Sequence, residues 1–427
     1  MLDIKLVREH PEAVRDNLRR RGVPEKVADL DRLLGLDVKW RELLAEAETL
    51  RKSRNEITAE IAQARKKGKD PVELMKKATA MPEQIKKIEA QAGEFRQEAE
   101  KTLLNIPNMV HESVPFGKDD NDNQEVKRWG RIRSFEFKPL DHIDLGLKNG
   151  LIDVERAAYV AGARFYYLRA DLVRLNYALI QYGLDFMRKK GFQLYQPPYL
   201  LRRDVVAGAV ALSDFEDTIY RIENEDLYLL ATSEHALLGF HKDDIIEADK
   251  LPLRYAAISP CFRKEAGAHG RDTKGIFRTH QFEKVEQFIF SLPEDSWNHH
   301  EGLLANLEEF WQTLRIPYRI VNVCTGDLGT VAAKKYDLEA WLPGQGKYRE
   351  MASCSNCTAY QAVRSKIRYR EKTNMPTKPV HTLNSTLVAT ERAIIAIMEN
   401  SQRADGAFEI PKVLQPYMGG HDIIPVP

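Results

Sequence analysis

The sequence predicts an α+β fold, an antiparallel sheet with helices packed on it, preceded by an antiparallel coiled-coil arm. Three observations predict it. Residues 28 to 103 carry two long apolar seams at helical spacing. After residue 225, short apolar or alternating segments follow one another without the regular strand and helix alternation of a parallel sheet. A stretch rich in Pro, Gly, Asn and Asp lies between these two regions. At about 150 residues per domain, 427 residues suggest two or three. The division predicted is an N-terminal domain at 1–103, a linker at 104–130 and a larger domain at 131–427.

In the arm, Leu36, Trp40, Leu43, Ala47, Leu50, Ile57 and Ile61 form the first seam, interrupted at Arg54. Met81, Ile85, Ile88, Ala92, Phe95 and Ala99 form the second. Gly68 and Pro71 break the helix between them and supply a reversal. About 35 residues at 1.5 Å each give an arm on the order of 50 Å long. From Arg51 to Lys69 seven basic side chains stand against two acidic ones. Such a tip is suited to a large anionic partner, with Arg51, Arg54, Lys66, Lys67 and Lys69 as the candidate contacts. A solvated coiled-coil surface would have the same composition.

Beyond the linker, "RADLVRLNYALIQYGLDFMRKKGF" predicts a helix of about 20 residues stopped at Gly191, and "FQLYQPPYLL" a short extended segment. "LYLLAT", "YAAISPCFR", "QFEKVEQFIF" and "YRIVNVCT" read as strands, and a late helix is expected from about Val388 to Ser401. The chemistry concentrates in "FRKEAGAHGRDTKGIFRTHQFEKVE", residues 262–286. Strand alternation would put Arg263 and Glu265 on one face, and Phe282, Lys284 and Glu286 likewise. The loop between them, 266–275, reads as a flexible turn. Arginine forks suit phosphate oxygens, carboxylates suit amino or hydroxyl donors, and a phenyl ring suits a flat base. A nucleotide and an amino acid would satisfy the set. Late in the chain "LNSTLVATERAIIAIMENSQ" adds Asn384, Thr386 and Arg392.

A helix with strand and Pro198, an Arg-bearing hairpin, and an Arg-bearing strand and helix, in that order, resemble the three motifs of class II aminoacyl-tRNA synthetases. The opening "MLDIKLVREHPEAV", the helical hairpin, "CSNCTAYQAVR" and "KVLQPYMGG" resemble the seryl-tRNA synthetase family in particular. The resemblance implies a class II catalytic domain at 131–427 with an antiparallel sheet. It also implies a homodimer with the first motif in its interface, and activation of serine by ATP with Mg²⁺. The acceptor implied is tRNA(Ser), with tRNA(Sec) as a second candidate. Residue by residue, Arg263 matches the arginine on the α-phosphate and Glu265 its neighbour near the adenine amino group. Phe282 resembles the ring stacked on adenine, and Arg278 and Arg392 the positions that hold the triphosphate. Arg263 and Arg392 would carry catalysis, while Glu350 and Ser353 resemble the positions near ATP and its Mg²⁺. For serine, Thr232 and Glu234 resemble residues that receive the amino group, and Glu286, Asn384 and Thr386 those lining the hydroxyl pocket. "SNCTAYQ" and "NST" are similar to archaeal and eukaryotic members, and the loop at 207–216 departs from many bacterial ones. A class II-like ligase charging a carrier protein would not need the basic arm, and a non-catalytic RNA-binding relative should have lost ATP-contacting positions.

Composition excludes several other classes. Net charge is +1, with 43% hydrophobic and 30% charged residues, so any nucleic-acid surface must be local. No apolar run is long enough to span a bilayer, and the start lacks a basic segment followed by a continuous apolar one. No membrane partner and a cytoplasmic location are the expectation. Four cysteines are too few for a disulfide framework, and Cys354 and Cys357 form a lone CxxC without the further ligands a closed zinc site requires, so no zinc is expected. His269, His280 and His381 sit near the motifs, but a phosphoryl chemistry of this kind needs charge neutralisation more than proton transfer. Tyr166, Tyr167 and Trp341 read as core or interface aromatics.

Overall fold

The computed structural model describes residues 1–210, 217–265 and 275–426. The turn expected at 266–275, with His269, falls almost wholly outside the described residues, as does most of the 207–216 loop. The chain divides into two compact units, Leu2–Pro107 and Asn108–Pro427, the second also taking in Met1.

In the first unit, short helices at Ile4–Glu9 and Pro11–Arg20 precede two long ones, Lys26–Lys66 and Val72–Leu103. Asp3 caps the first by accepting from the Lys5 amide, and Pro11 opens the second, where its missing N–H costs nothing. Val7, Val14, Leu18, Leu30 and Leu33 are fully buried and make a dense base. Farther out, the seam narrows to Ala47, Ile85 and Ala92 as buried residues, with Leu43, Leu50, Ile57 and Ile61 half-buried. Across it Arg51 pairs with Glu89 and Arg32 with Glu98, a register only antiparallel helices give. The reversal passes through Gly68, whose φ of +73° is the left-handed region that glycine enters without strain. Forty-one residues make the first long helix about 60 Å long.

The second unit is built on an eight-stranded sheet among the described residues. Its order is Gln124–Trp129, Tyr318–Asn322, Lys334–Leu342, Lys347–Asn356, His381–Ala389, Gln281–Ser291, Leu253–Phe262 and Gln193–Tyr195. Every neighbouring pair is antiparallel except the last, which is parallel. Helices Asp171–Lys189, Ser296–Thr313 and Thr390–Ser401 cover one face: Leu179, Trp311 and Ile394 join Val285, Ile289 and Leu387 in one apolar cluster. On the other face Phe288 and Phe290 pack with Val206, Leu237 and Leu238. Strand Gln281–Ser291 thus sends its odd residues to the helices and its even ones to the opposite side, where Phe282, Lys284 and Glu286 precede the apolar pair.

Four sequence expectations are corrected. The stretch 104–130 contributes the edge strand Gln124–Trp129, whose "QEVKRW" is almost wholly exposed and so has no apolar face to announce it. Two further strands, Lys334–Leu342 and Lys347–Asn356, stand in the middle of the sheet, where Glu350 lines one cavity and Lys335 a second. The late helix begins at Thr390, because strand His381–Ala389 runs up to it. Finally, strand Leu253–Phe262 ends before Arg263, so irregular chain rather than strand alternation places Arg263 and Glu265, the latter at φ +51°.

Candidate active site

One cleft of about 230 Å³ lies against the central strands, and all twelve residues expected to bind ATP or serine line it. Strand Gln281–Ser291 supplies Phe282 and Glu286, and strand His381–Ala389 supplies Asn384 and Thr386. Thr386 lies opposite Glu286 in the sheet register and donates its hydroxyl to Glu286 Oε2 at 3.1 Å. Glu350 and Ser353 are three apart, a spacing that regular alternation would split between faces. A bulge at the Leu338/Glu339 register shift leaves Met351 unpaired and returns both to the cavity wall. A second chamber of about 380 Å³ shares Thr232, Glu234, Arg263, Glu265, Ser353 and Asn384 with the first.

The basic groups are held by the protein itself. Arg263 donates Nε to the Ala231 carbonyl at 3.3 Å, with its guanidinium 5.2 Å from the Phe282 ring centre. Arg278 donates to Glu265 Oε2 at 3.0 Å. Arg392, in the first turn of its helix, donates to the Glu350 carbonyl at 2.9 Å and lies 3.4 Å from its carboxylate. Desolvation by the surrounding protein works against an ionised Glu350, yet Arg392, then Lys335 and Arg263, hold its carboxyl well below the usual carboxylate range. That carboxylate is 47% exposed, toward the cleft it lines, and is available to a cation. Glu350 and Ser353 offer hard oxygen donors beside three arginines, a set that fits Mg²⁺ carried on phosphate oxygens.

At the other end, Thr232 begins helix Ser233–Phe240 and accepts from the Glu234 amide at 3.3 Å. Glu234 accepts from Gln361 Nε2 at 2.6 Å. Burial, then the charge of Glu286, pushes its carboxyl up to about 7. Two groups not expected as site residues also line the cleft. Lys284 is paired with Glu286 and donates to Thr232 Oγ1 at 2.9 Å. Glu391 accepts from the Tyr166 hydroxyl, the Glu283 amide at 3.1 Å and Thr390 Oγ1 at 3.1 Å, and burial pushes it up to about 7. Lys284 was legible as the middle member of Phe282, Lys284 and Glu286; Glu391 had no signal beyond its place beside Arg392.

The other candidates lie elsewhere. His280 bonds to the Arg263 carbonyl at 2.8 Å and His381 to Ser296 Oγ at 2.8 Å, where burial lowers His381 to about 4. Cys354 donates to the His300 carbonyl at 3.7 Å, and Cys357 accepts from Asn384 Nδ2 at 3.6 Å. Among the described residues no group of three His, Cys, Asp or Glu could hold a metal ion. Arg51, Arg54, Lys66, Lys67 and Lys69 belong to the helical unit, Arg51 paired with Glu89 and the three lysines exposed.

Comparison with known proteins bears on both units. Residues 216–401 match the model of the tRNA synthetase class II core domain (G, H, P, S and T), and residues 1–110 that of the seryl-tRNA synthetase N-terminal domain. A serine–tRNA ligase of Nitrosopumilus maritimus is 53% identical over 98% of this chain and 99% of its own. The crystal structure of seryl-tRNA synthetase from Pyrococcus horikoshii complexed with ATP superposes with a TM-score of 0.97 at 50% identity, covering 100% of both chains. The cytoplasmic serine–tRNA ligase of Naegleria fowleri in complex with AMP gives 0.90 at 38% identity, over 100% of this chain and 99% of that one.

Proposed function

This chain belongs to the seryl-tRNA synthetase family, an aminoacyl-tRNA synthetase family of class II, and from that premise we propose how its residues divide the reaction. Serine is activated with ATP to seryl-adenylate, and the seryl group is then transferred to the 3′ end of tRNA. In the first step a serine carboxylate oxygen attacks the α-phosphorus, the bond to the β-phosphate bridging oxygen breaks, and pyrophosphate leaves with the electron pair. Arg263 meets the charge on the α-phosphate, and Arg278 and Arg392 that on the departing pyrophosphate. Donors already aimed at developing charge lower the barrier without reorganising. Phe282 stacks on adenine and Glu265 accepts from its amino group. Glu350 and Ser353 would hold Mg²⁺, which would supply charge neutralisation on the phosphates. Glu234 and Thr232 receive the serine ammonium, and Glu286, Asn384 and Thr386 its hydroxyl. In the second step a terminal ribose hydroxyl attacks the acyl carbon and AMP leaves.

The observation that carries these assignments is that one cleft gathers three arginines, an aromatic plane, the half-buried carboxylate of Glu234 and the buried one of Glu286. A homodimer is supported by exposed apolar side chains in and just before the first-motif helix: Tyr159 is 86% exposed and Tyr177 63%, and Val160 and Tyr167 are exposed too. The acceptor is tRNA(Ser), with tRNA(Sec) a second candidate for the same charging assay, and the arm lysines contact its backbone. The reaction belongs in the cytoplasm with translation, and among the described residues no helix is long and apolar enough to cross a membrane. Amino-acid-dependent ATP–pyrophosphate exchange across all twenty amino acids tests the reading. Serine should dominate; equal exchange with another amino acid would overturn it.

A further inference from the structure

Resting on the serine subsite just proposed, we infer that Lys284 is a specificity-determining residue: its buried ammonium sets the charge of that subsite so that it accepts one substrate ammonium and rejects a second. Lys284 sits between Phe282 and Glu286 on the cavity side of its strand, and its side chain is 7% exposed against 2% for Glu286. A buried ammonium is costly without partners, and its partners here are Glu286 and Thr232, two of the groups assigned to serine. A pair that served only to fasten the sheet would concern no third group. This one does: the charge of Glu286 opposes ionisation of Glu234, and that of Lys284 favours it.

In the occupied subsite, where the substrate's ammonium has displaced the proton of Glu234, the two carboxylates and the Lys284 ammonium leave a single negative charge, which the ammonium of one serine neutralises. Arg263 adds a positive charge nearby, but it is the residue assigned above to the α-phosphate. Without Lys284 the subsite would carry two negative charges and suit a dication. The probe that separates the cases is 2,3-diaminopropionate, which is serine with an amino group in place of the hydroxyl. On the acid side of neutrality it carries two ammonium groups, and in the intact subsite the second would meet Lys284 across Glu286. Selectivity of this kind comes from a built-in repulsion rather than an added contact.

The test is calorimetric titration of serine and of 2,3-diaminopropionate into the full-length protein saturated with a non-hydrolysable ATP analogue, below neutral pH. In Lys284→Met the preference for serine should shift toward the diamine by about tenfold or more, since a like charge is removed from a buried site. Adding Glu234→Gln to Lys284→Met restores a single negative charge and should return the ratio toward that of the unmutated protein, a correction that a merely structural role would not produce. An unchanged ratio in Lys284→Met, or a double variant that stays with the single one, would overturn the inference. Binding of the ATP analogue reports an intact cavity, and if Lys284→Met does not fold, Lys284→Gln carries the same comparison. If the unmutated protein bound no serine, that arm alone would overturn the serine reading and the role of Lys284 with it.

Discussion

The active-site cleft and the coiled-coil arm carry charge in opposite ways. In the cleft, Lys284, Glu286 and Glu391 are buried, and each is fixed by named partners within a few ångströms. In the arm, Lys66, Lys67 and Lys69 are exposed at the end of a helix held by a seam of small and half-buried residues. A buried charge acts through geometry, so moving one atom matters and salt does not. An exposed charge acts through its field, so no single residue matters much and salt matters a great deal. Activation of serine asks for the first, and holding a long polyanion asks for the second.

The sharpest way to break this contrast is to remove one cleft charge. Arg263→Ala should lower ATP–pyrophosphate exchange by about 10² or more, in line with the loss of one preorganised donor. Exchange kinetics near those of the unmutated protein in a folded variant would show that the cleft tolerates loss of a fixed charge, as the arm is expected to. A comparable loss, confined to the other half-reaction, is expected on shortening the arm. Deleting residues 48–91 and joining the helices by a short loop spares the base built on Val7, Val14, Leu18, Leu30 and Leu33. Exchange should persist while tRNA charging falls by about 10² in kcat/KM, given how much of nucleic-acid affinity comes from phosphate contacts. Charging at the intact level would make the arm a solvated helix pair and nothing more.

The two regions were also legible to different degrees. The arm's seam could be read almost residue by residue, because helical periodicity is local and Leu36, Ala47, Ile85, Ala92 and Ala99 are indeed buried. The cleft was legible through its motifs, which named twelve of its lining residues, but its architecture was not. "KKYDLEAWL" and "KYREMASCSN" are absent from the strands expected from sequence, yet they form two central strands, in which Glu350 lines the cleft and Lys335 the second chamber. A bulge that aligns Glu350 with Ser353 has no sequence signature of its own. Nor does the buried Glu391, whose partners Tyr166 and Glu283 are distant in sequence or depend on the sheet register.

A smaller effect sharpens the contrast through pH. In the empty cleft Glu234 titrates at about 7, burial being the larger cause and Glu286 the second. Below that pH serine must displace a proton to gain the carboxylate for its ammonium; above it, the carboxylate is already ionised. Serine affinity should therefore rise by up to about tenfold per unit as pH climbs toward 7 and then level off. In Glu234→Gln this slope should flatten, measured as serine Kd across the same range. A slope that survives the substitution would move the titration to another group.

The smallest effect belongs to the arm. Replacing Lys66, Lys67 and Lys69 together by Ala removes three exposed positive charges at the tip without touching the seam, so the helices should keep their pairing. Each charge that neutralises a phosphate releases condensed counterions, and losing it should make the plot of log affinity against log salt shallower by roughly 0.7 to 0.9 per contact. Charging at low salt should then weaken about three- to tenfold, while near 1 M salt, where the Debye length is about 3 Å, the variant and the unmutated protein should converge. Exchange without tRNA should not change, since the lysines belong to the other compact unit. Convergence at high salt is what separates a field from a fixed contact: a variant weaker by the same factor at every salt concentration would mean that the tip holds tRNA through specific geometry, as the cleft holds serine.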